Sequence, residues 1–411
     1  MNLYIFDEFN KAAVYGIGTY IRELSVAIQY NDINVYVINL LSNKPQILSE
    51  EIDGIMYWYF PAPLKEQRTI DKEKQEKLYF RNVVHLLKLH IIDKNDLIFH
   101  LNYSQGIILA EELKKAFSCK VIYSVHYLDW CIGLCGNVTH LRKILTTAVT
   151  NLLDELEKAV FESFRKDKEF FGTVDHIICL SKNTQQILYN DYQINPDKVS
   201  LIFNGVNDIN PVKDKIALRN KYHIPDIPVI LFVGRLDELK GLTFALRAFK
   251  TVLRSYSHCH FIVAGDGAFN DRVKECEDIW MHVTWTGLIN KEKVYDLYSI
   301  ADIGIIPSFM EQCCYVAIEM MMFGLPIVTT AAQGLAEMTE NGISSLQVPI
   351  KEHLNMVEIS PDMLADKILY LLEHTEEAKR IGMNARKRYE ERYSGKLFKK
   401  NILDFYHSLY E

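Results

Sequence analysis

Apolar and β-branched residues fall in short runs along this chain, and helical patterns separate the runs from end to end. In the first half the runs are Leu3–Phe6, Asn34–Leu40, Asp96–Leu101, Lys120–His126, His176–Leu180 and Val199–Phe203. They are apolar on both faces, as strands covered by helices on both sides are. A second series follows Asn204-Gly205-Val206-Asn207: Pro228–Val233, His260–Ala264, His282–Trp285, Ile303–Ile306, Pro326–Thr329 and Ser345–Val348. Between the two, residues 208–227 are polar and carry Pro211 and Pro225, the composition of a linker. Strand and helix in strict alternation predict an α/β chain of two doubly wound, Rossmann-like domains, 1–207 and 208–390, followed by a helical segment at 391–411.

Three stretches stand outside the alternation. Residues 64–78 form a mixed-charge run expected to be solvated. Residues 140–171 carry a helical pattern too long for a simple crossover, and the tail from Glu376 is helical and rich in Tyr, Lys and Arg.

Composition narrows the function classes. A chain of 411 residues fits two cores, and 49% hydrophobic with 24% charged residues is ordinary for a globular protein. The formal charge of −7 and pI near 6.0 argue against a general nucleic-acid binder. No run approaches the ~18 apolar residues of a membrane span, and the first eight residues lack the charged and apolar regions of a signal peptide. A cytoplasmic protein is expected; the Lys and Arg of 142–168 leave peripheral contact with the inner membrane face open beside a solvated helix face. Eight irregularly spaced cysteines read as reduced thiols, and no Cys/His set has zinc spacing, so no metal site is expected.

In doubly wound sheets ligands bind beyond the carboxyl ends of the strands. After the first strand Gly16-Ile17-Gly18 precedes a helix expected from Ile21. Glycines there let backbone amides approach an anion, although a tight turn is an equal reading. The second series offers Gly234-Arg235-Leu236 with Lys240-Gly241, then Gly265-Asp266-Gly267, then Gly287-Leu288. Arg235 and Lys240 can grip phosphate oxygens, or can be two exposed charges on a turn. Ser308 ends a strand, Glu311 falls in the loop after it, and Glu319 lies inside a helix starting near Cys314. Each alone has a bland reading; a lone glutamate is usually a solvated charge.

Their order is what specifies them. Gly-Arg-Leu-(x)3-Lys-Gly, Gly-Asp-Gly, the Gly287–Tyr298 segment and Glu-(x)7-Glu together resemble the retaining GT-B glycosyltransferases of family 4 (glycosyl transferases group 1). The resemblance spans nearly the whole chain and is strongest over 228–350. It implies two Rossmann-like domains facing a central cleft, with the closing helix crossing back to the first domain. It implies that Arg235 and Lys240 hold the donor diphosphate, that Glu319 meets the nucleotide ribose, and that Glu311 meets the transferred sugar. His126 resembles the first-domain histidine near the anomeric side, Gly16 and Gly18 the glycine loop beside the phosphates, and Asn204 the Asn-Gly-Val crossover. Gly234, Gly265, Gly267 and Leu288 fall with the donor-binding turns. Where the family usually reads Gly-Phe-Gly-Leu, this chain has Gln312-Cys313-Cys314-Tyr315, which changes the sugar pocket.

No Asp-x-Asp occurs. A metal-bound diphosphate site is therefore not expected; the resemblance implies a retaining hexosyltransferase with no cofactor beyond its nucleotide-sugar donor, a UDP-sugar rather than a GDP-sugar. The acceptor is a glycan, a lipid-linked molecule or a peptide, and Tyr79, Phe80, Tyr127 and Trp130 are aromatic candidates for it. Two other readings stay open: a GT-B epimerase or phosphorylase, and a catalytically silent nucleotide-sugar-binding partner subunit.

Overall fold

The computed structural model describes residues 1–9, 16–29, 31–63, 72–104, 106–147, 154–209, 214–354 and 356–410. Its contacts sort the chain into two compact units. The first comprises Met1–Asp129, Asp154–Gly205 and Gly395–Glu411; the second comprises Trp130–Leu153 and Val206–Ser394.

The first unit is built on an eight-stranded sheet. Its strands are β1 (Asn2–Glu8), β2 (Asn34–Ser42), β3 (Leu48–Ile52), β4 (Ile55–Pro61), β5 (Leu97–Leu101), β6 (Cys119–Val125), β7 (His176–Cys179) and β8 (Val199–Leu201), in the order β3-β4-β2-β1-β5-β6-β7-β8. All neighbours are parallel except the β3–β4 hairpin. β5 is buried at all five positions, as its apolar sequence requires. The helix Gly395–Ser408 belongs to this unit: Phe398 packs edge-on against Tyr20 and Tyr406 bonds His100.

The second unit holds six parallel strands: β9 (Val229–Val233), β10 (His260–Ala264), β11 (Val283–Gly287), β12 (Ile303–Ile306), β13 (Ile327–Thr330) and β14 (Leu346–Val348). Their order is β11-β10-β9-β12-β13-β14, with a reversal between β9 and β12. That reversal is a topological switch point, the place where doubly wound sheets open a crevice beyond their strands. A separate hairpin, β15 (Lys351–His353) with β16 (Met356–Glu358), completes the unit.

All twelve expected strands are present, and the structure corrects other readings. The β3–β4 and β15–β16 hairpins were not anticipated. Their Leu-Ser-Glu-Glu-Ile and Lys-Glu-His sequences are largely exposed and lack the apolar signature of the central strands. Residues 208–227 are not simply a linker, because they contain the helix Lys215–Lys221. Its Arg219 is buried and pairs with Asp302 at 2.7 Å and Asp226 at 3.1 Å. A polar sequence conceals that anchoring.

The pattern at 140–171 is two helices, Val138–Thr147 and Glu155–Thr173. The second opens on a capping box in which the Asp154 carboxylate accepts from the Glu157 amide at 2.8 Å. Residues 130–147, placed by the sequence in the first domain, group with the second unit. There Asn137 donates to the His353 carbonyl at 2.7 Å, Thr139 to Glu352 at 3.0 Å and Gln333 to the Gly136 carbonyl at 2.8 Å. The first helix starts at Gly16 rather than Ile21, so Gly16 and Gly18 lie within its first turn. Trp130 and Phe80 are buried core side chains, and Tyr79 is bonded to Leu41 and Phe60, so these three pack locally. Tyr15, Pro211 and residues 64–71 and 148–153 lie outside the described residues.

Candidate functional site

The second unit gathers twelve of the sequence-selected residues at the carboxyl ends of its strands. Backbone bonds continue the parallel ladder past the strand ends and lock three turns together. Gly234 donates to Ala264 at 3.0 Å, Gly265 to Gly287 at 3.1 Å, and Leu236 to Asp266 at 2.9 Å. Gly265 has φ +150° and lies so close to Gly234 that a Cβ would collide with the Gly234 carbonyl. No other residue fits that contact. Gly267 sits against the Leu236 backbone, and Leu288, just beyond β11, is exposed.

Arg235 leaves this turn and meets Asp237 at 3.0 Å. Asp237 also accepts from the Lys240 amide at 3.2 Å, capping the single 3-10 turn Glu238–Lys240. Gly241 ends that turn in the left-handed region, φ +65°, and starts the helix Leu242–Ser255. Its Cβ position is filled by the Pro307 carbonyl, while Phe309 donates to the Leu239 carbonyl at 2.8 Å. The Lys240 turn is thereby fastened to the loop that follows β12. Gly241→Ala is expected to destabilise the fold by roughly 1–3 kcal/mol, from positive φ and collision together, read as a lowered urea midpoint. Wild-type stability in that variant would exclude the close approach.

That fastening has a chemical result. Lys240 Nζ lies 2.6 Å from Glu311 Oε1, and Ser308 Oγ donates to the same oxygen at 2.8 Å. Burial works against the Lys240 charge, but the Glu311 carboxylate more than offsets it and holds the ammonium above the usual lysine range. Gln312, Cys313, Cys314 and Tyr315 are all buried. Cys314 precedes the helix Tyr315–Met322 and its amide donates to Met338 Sδ at 3.2 Å. Burial pushes the Cys314 thiol far above its ordinary value, which leaves it without thiolate character. All eight cysteines are free thiols.

Glu319 lies in that helix and is 1% exposed. Tyr298 donates to its Oε2 at 2.9 Å, and Lys291 forms an ion pair with its other oxygen. Tyr298 and Lys291 come from the helix Lys291–Ile300. Sequence reasoning missed Ser308, Lys291, Tyr298 and Asp237 as site residues. The hint was that all four lay inside or beside segments the motifs already span.

The remaining candidates belong to the first unit. His126 follows β6, with Nε2 2.9 Å from Asn102 Oδ1 and its ring edge-on to Tyr20 at 4.6 Å between centroids. Burial lowers its pKa to about 3, so the imidazole is neutral. Asn204 is buried just before the crossing at Gly205–Val206, where Val206 bonds Tyr393 at 3.1 Å. Among the described residues no group of three or more His, Cys, Asp or Glu is arranged to hold a metal, and no helix is long and apolar enough to cross a membrane.

Chemically, the second-unit cluster offers two cations, each held by an internal carboxylate, beside a buried third carboxylate. An incoming diphosphate can take over the two cations, while Glu319 can accept from vicinal hydroxyls.

Comparison with known proteins assigns the chain to a family. The model of the glycosyl transferases group 1 matches residues 214–388, and that of glycosyltransferase family 4 matches residues 14–208. An uncharacterized glycosyltransferase of Methanocaldococcus jannaschii is 26% identical over 97% of this chain and 96% of its own length. The alpha-D-kanosaminyltransferase of Streptomyces kanamyceticus is 28% identical over 42% of this chain and 43% of its own. In fold, the chain resembles the sucrose-phosphate synthase of Thermosynechococcus elongatus, with TM-score 0.77 and 20% identity over 100% of this chain and 99% of that one. It also resembles Anabaena HepE solved with UDP-glucose, with TM-score 0.73 and 16% identity over 99% of this chain and 100% of that one. Two family models that between them reach both units, and neighbours of the same fold along the whole chain, make this protein a family 4 glycosyltransferase of the GT-B fold.

Proposed function

We propose that the protein is a retaining, metal-independent hexosyltransferase that takes its sugar from a nucleoside diphosphate donor, UDP in preference to GDP. The observation that carries this reading is the Lys240–Glu311–Ser308 cluster beside Arg235, at the switch point between β9 and β12. Arg235 and Lys240 neutralise the departing diphosphate, a role of the kind that preorganised donors play toward developing charge. Glu311 meets hydroxyls of the hexose and Glu319 those of the ribose. With charge neutralised by side chains, the leaving phosphate oxygen takes the acceptor proton on the face where the sugar leaves. Anabaena HepE, solved in complex with UDP and with UDP-glucose, supports the choice of nucleotide.

The acceptor is a hydroxyl on a glycan, a lipid-linked molecule or a peptide, met by the first unit. We place the reaction in the cytoplasm, with peripheral membrane contact where the acceptor carries a lipid.

The test is incubation of purified protein with UDP- and GDP-hexoses while released nucleotide is followed. Slow UDP release that falls in Arg235→Ala and Lys240→Ala supports the reading; full rates in both variants sink it. A second reading, a silent donor-binding subunit, is favoured by the four buried side chains Gln312–Tyr315. It predicts donor binding by thermal shift with no nucleotide release.

A further inference from the structure

The first unit contains a polar network that the donor cluster does not use. His100 Nδ1 meets Tyr406 Oη at 2.6 Å and its Nε2 meets Ser124 Oγ at 2.7 Å. Ser124 Oγ in turn meets Tyr20 Oη at 2.9 Å, and the Tyr20 ring stands edge-on to His126. His100, Ser124 and Tyr20 are fully buried. On the other side of His126 stands Asn102, the residue immediately after β5 and 1% exposed.

Asn102 carries information that the histidine alone does not. Its Nδ2 donates to the Phe6 carbonyl at 3.0 Å. A carbonyl only accepts, so the amide is fixed with Nδ2 toward Phe6 and Oδ1 toward His126. Oδ1 also only accepts. The 2.9 Å contact therefore requires a proton on His126 Nε2. Among the described residues none bonds His126 Nδ1.

We propose that Asn102 is a positioning residue, which holds His126 as the Nε2–H tautomer so that Nδ1 meets a ligand hydroxyl as an acceptor. The assignment of a ligand to this ring rests on the function proposed above; the tautomer itself does not. A neutral acceptor here orients a ligand hydroxyl without adding charge. Burial keeps the ring neutral at physiological pH, since its pKa is lowered to about 3. The titratable groups facing it are His100, also held down to about 3 by burial and by His126, and Tyr20, whose hydroxyl burial pushes well up. Neither supplies a charge that would stabilise an imidazolium.

The experiment uses the full chain labelled with ¹⁵N-histidine. Long-range ¹H–¹⁵N spectra are recorded from pH 5.5 to 8.5, with the His126 signals assigned by their loss in His126→Gln. The expected spectrum has Nε2 protonated and Nδ1 in the unprotonated range, with no titration across that window. An Nδ1–H ring, or an imidazolium forming above pH 5.5, overturns the proposal. Because this is read on the wild type, it does not depend on any variant folding.

Asn102→Asp supplies the second arm. A carboxylate against Nε2 should raise the His126 pKa by about 1–3 units relative to wild type, with turnover falling further at pH 5.5 than at pH 8.5. A merely structural role for Asn102 predicts an equal loss at every pH, which would also overturn the proposal. Full turnover in His126→Ala alongside the expected spectrum would remove the functional role of the ring while leaving its tautomer standing.

Discussion

Lys240→Ala should lower nucleotide release from the preferred donor by about 10²–10³-fold, the scale seen when one preorganised donor to developing charge is deleted. Lys240 sits on a turn capped by Asp237, ended by Gly241 and bonded to the loop after β12, so its ammonium is held before any ligand arrives. Its partner Glu311 is only 11% exposed. Removing the lysine leaves that carboxylate with Ser308 alone and places a net negative charge where a diphosphate would have to enter.

The loss should therefore fall on both donor affinity and turnover. Lys240→Arg should recover only part of it, because a planar fork does not reproduce a point charge in this space. Steady-state kinetics of UDP release with each variant measures this. A Lys240→Ala enzyme within threefold of wild type would show that the ion pair is structural only.

Glu319→Ala should be the most damaging change to stability as well as to binding. Glu319 is 1% exposed and accepts from Tyr298 at 2.9 Å while pairing with Lys291. Truncation strands a fully buried Tyr298 hydroxyl and removes the partner of a half-buried ammonium. Stranding the Tyr298 hydroxyl costs about 1–3 kcal/mol, with little added by the solvent-screened Lys291 pair, and if Glu319 meets the ribose as proposed, the thermal shift given by UDP should be lost. Glu319→Gln keeps an acceptor for Tyr298, so it should recover most of the stability while binding the nucleotide more weakly. Urea midpoints and UDP thermal shifts on the two variants separate these effects. Equal stability of Glu319→Ala and wild type would contradict the buried pairing.

Which parts of the site were legible in the sequence follows from what its signals encode. The central strands were readable because a strand covered on both faces must be apolar at nearly every position, as β5 and β12 are. Edge strands such as β3 and β15 carry no such requirement, and their charged sequences resemble loops. The helix Lys215–Lys221 was hidden for a related reason: its anchor is the buried charge of Arg219, not an apolar stripe. In the candidate site, Arg235, Lys240, Glu311 and Glu319 were singled out from the order of motifs. Ser308, Tyr298 and Lys291 were not, because nothing in their own sequence neighbourhoods records whom they bond.

The amino-acid sequence by itself determined the alternation of strand and helix, the two-domain class and the turns on which the candidate chemistry sits. Only the tertiary structure decided the pairings. Lys240 and Glu311 are 71 positions apart and meet because β9 and β12 lie side by side in the sheet. The same holds for Tyr298 and Glu319, 21 apart, and for His126 and Asn102, 24 apart, on the loops after β6 and β5. Periodicity reports how each residue is buried locally; which distant charges become partners depends on the order in which strands are laid into the sheet.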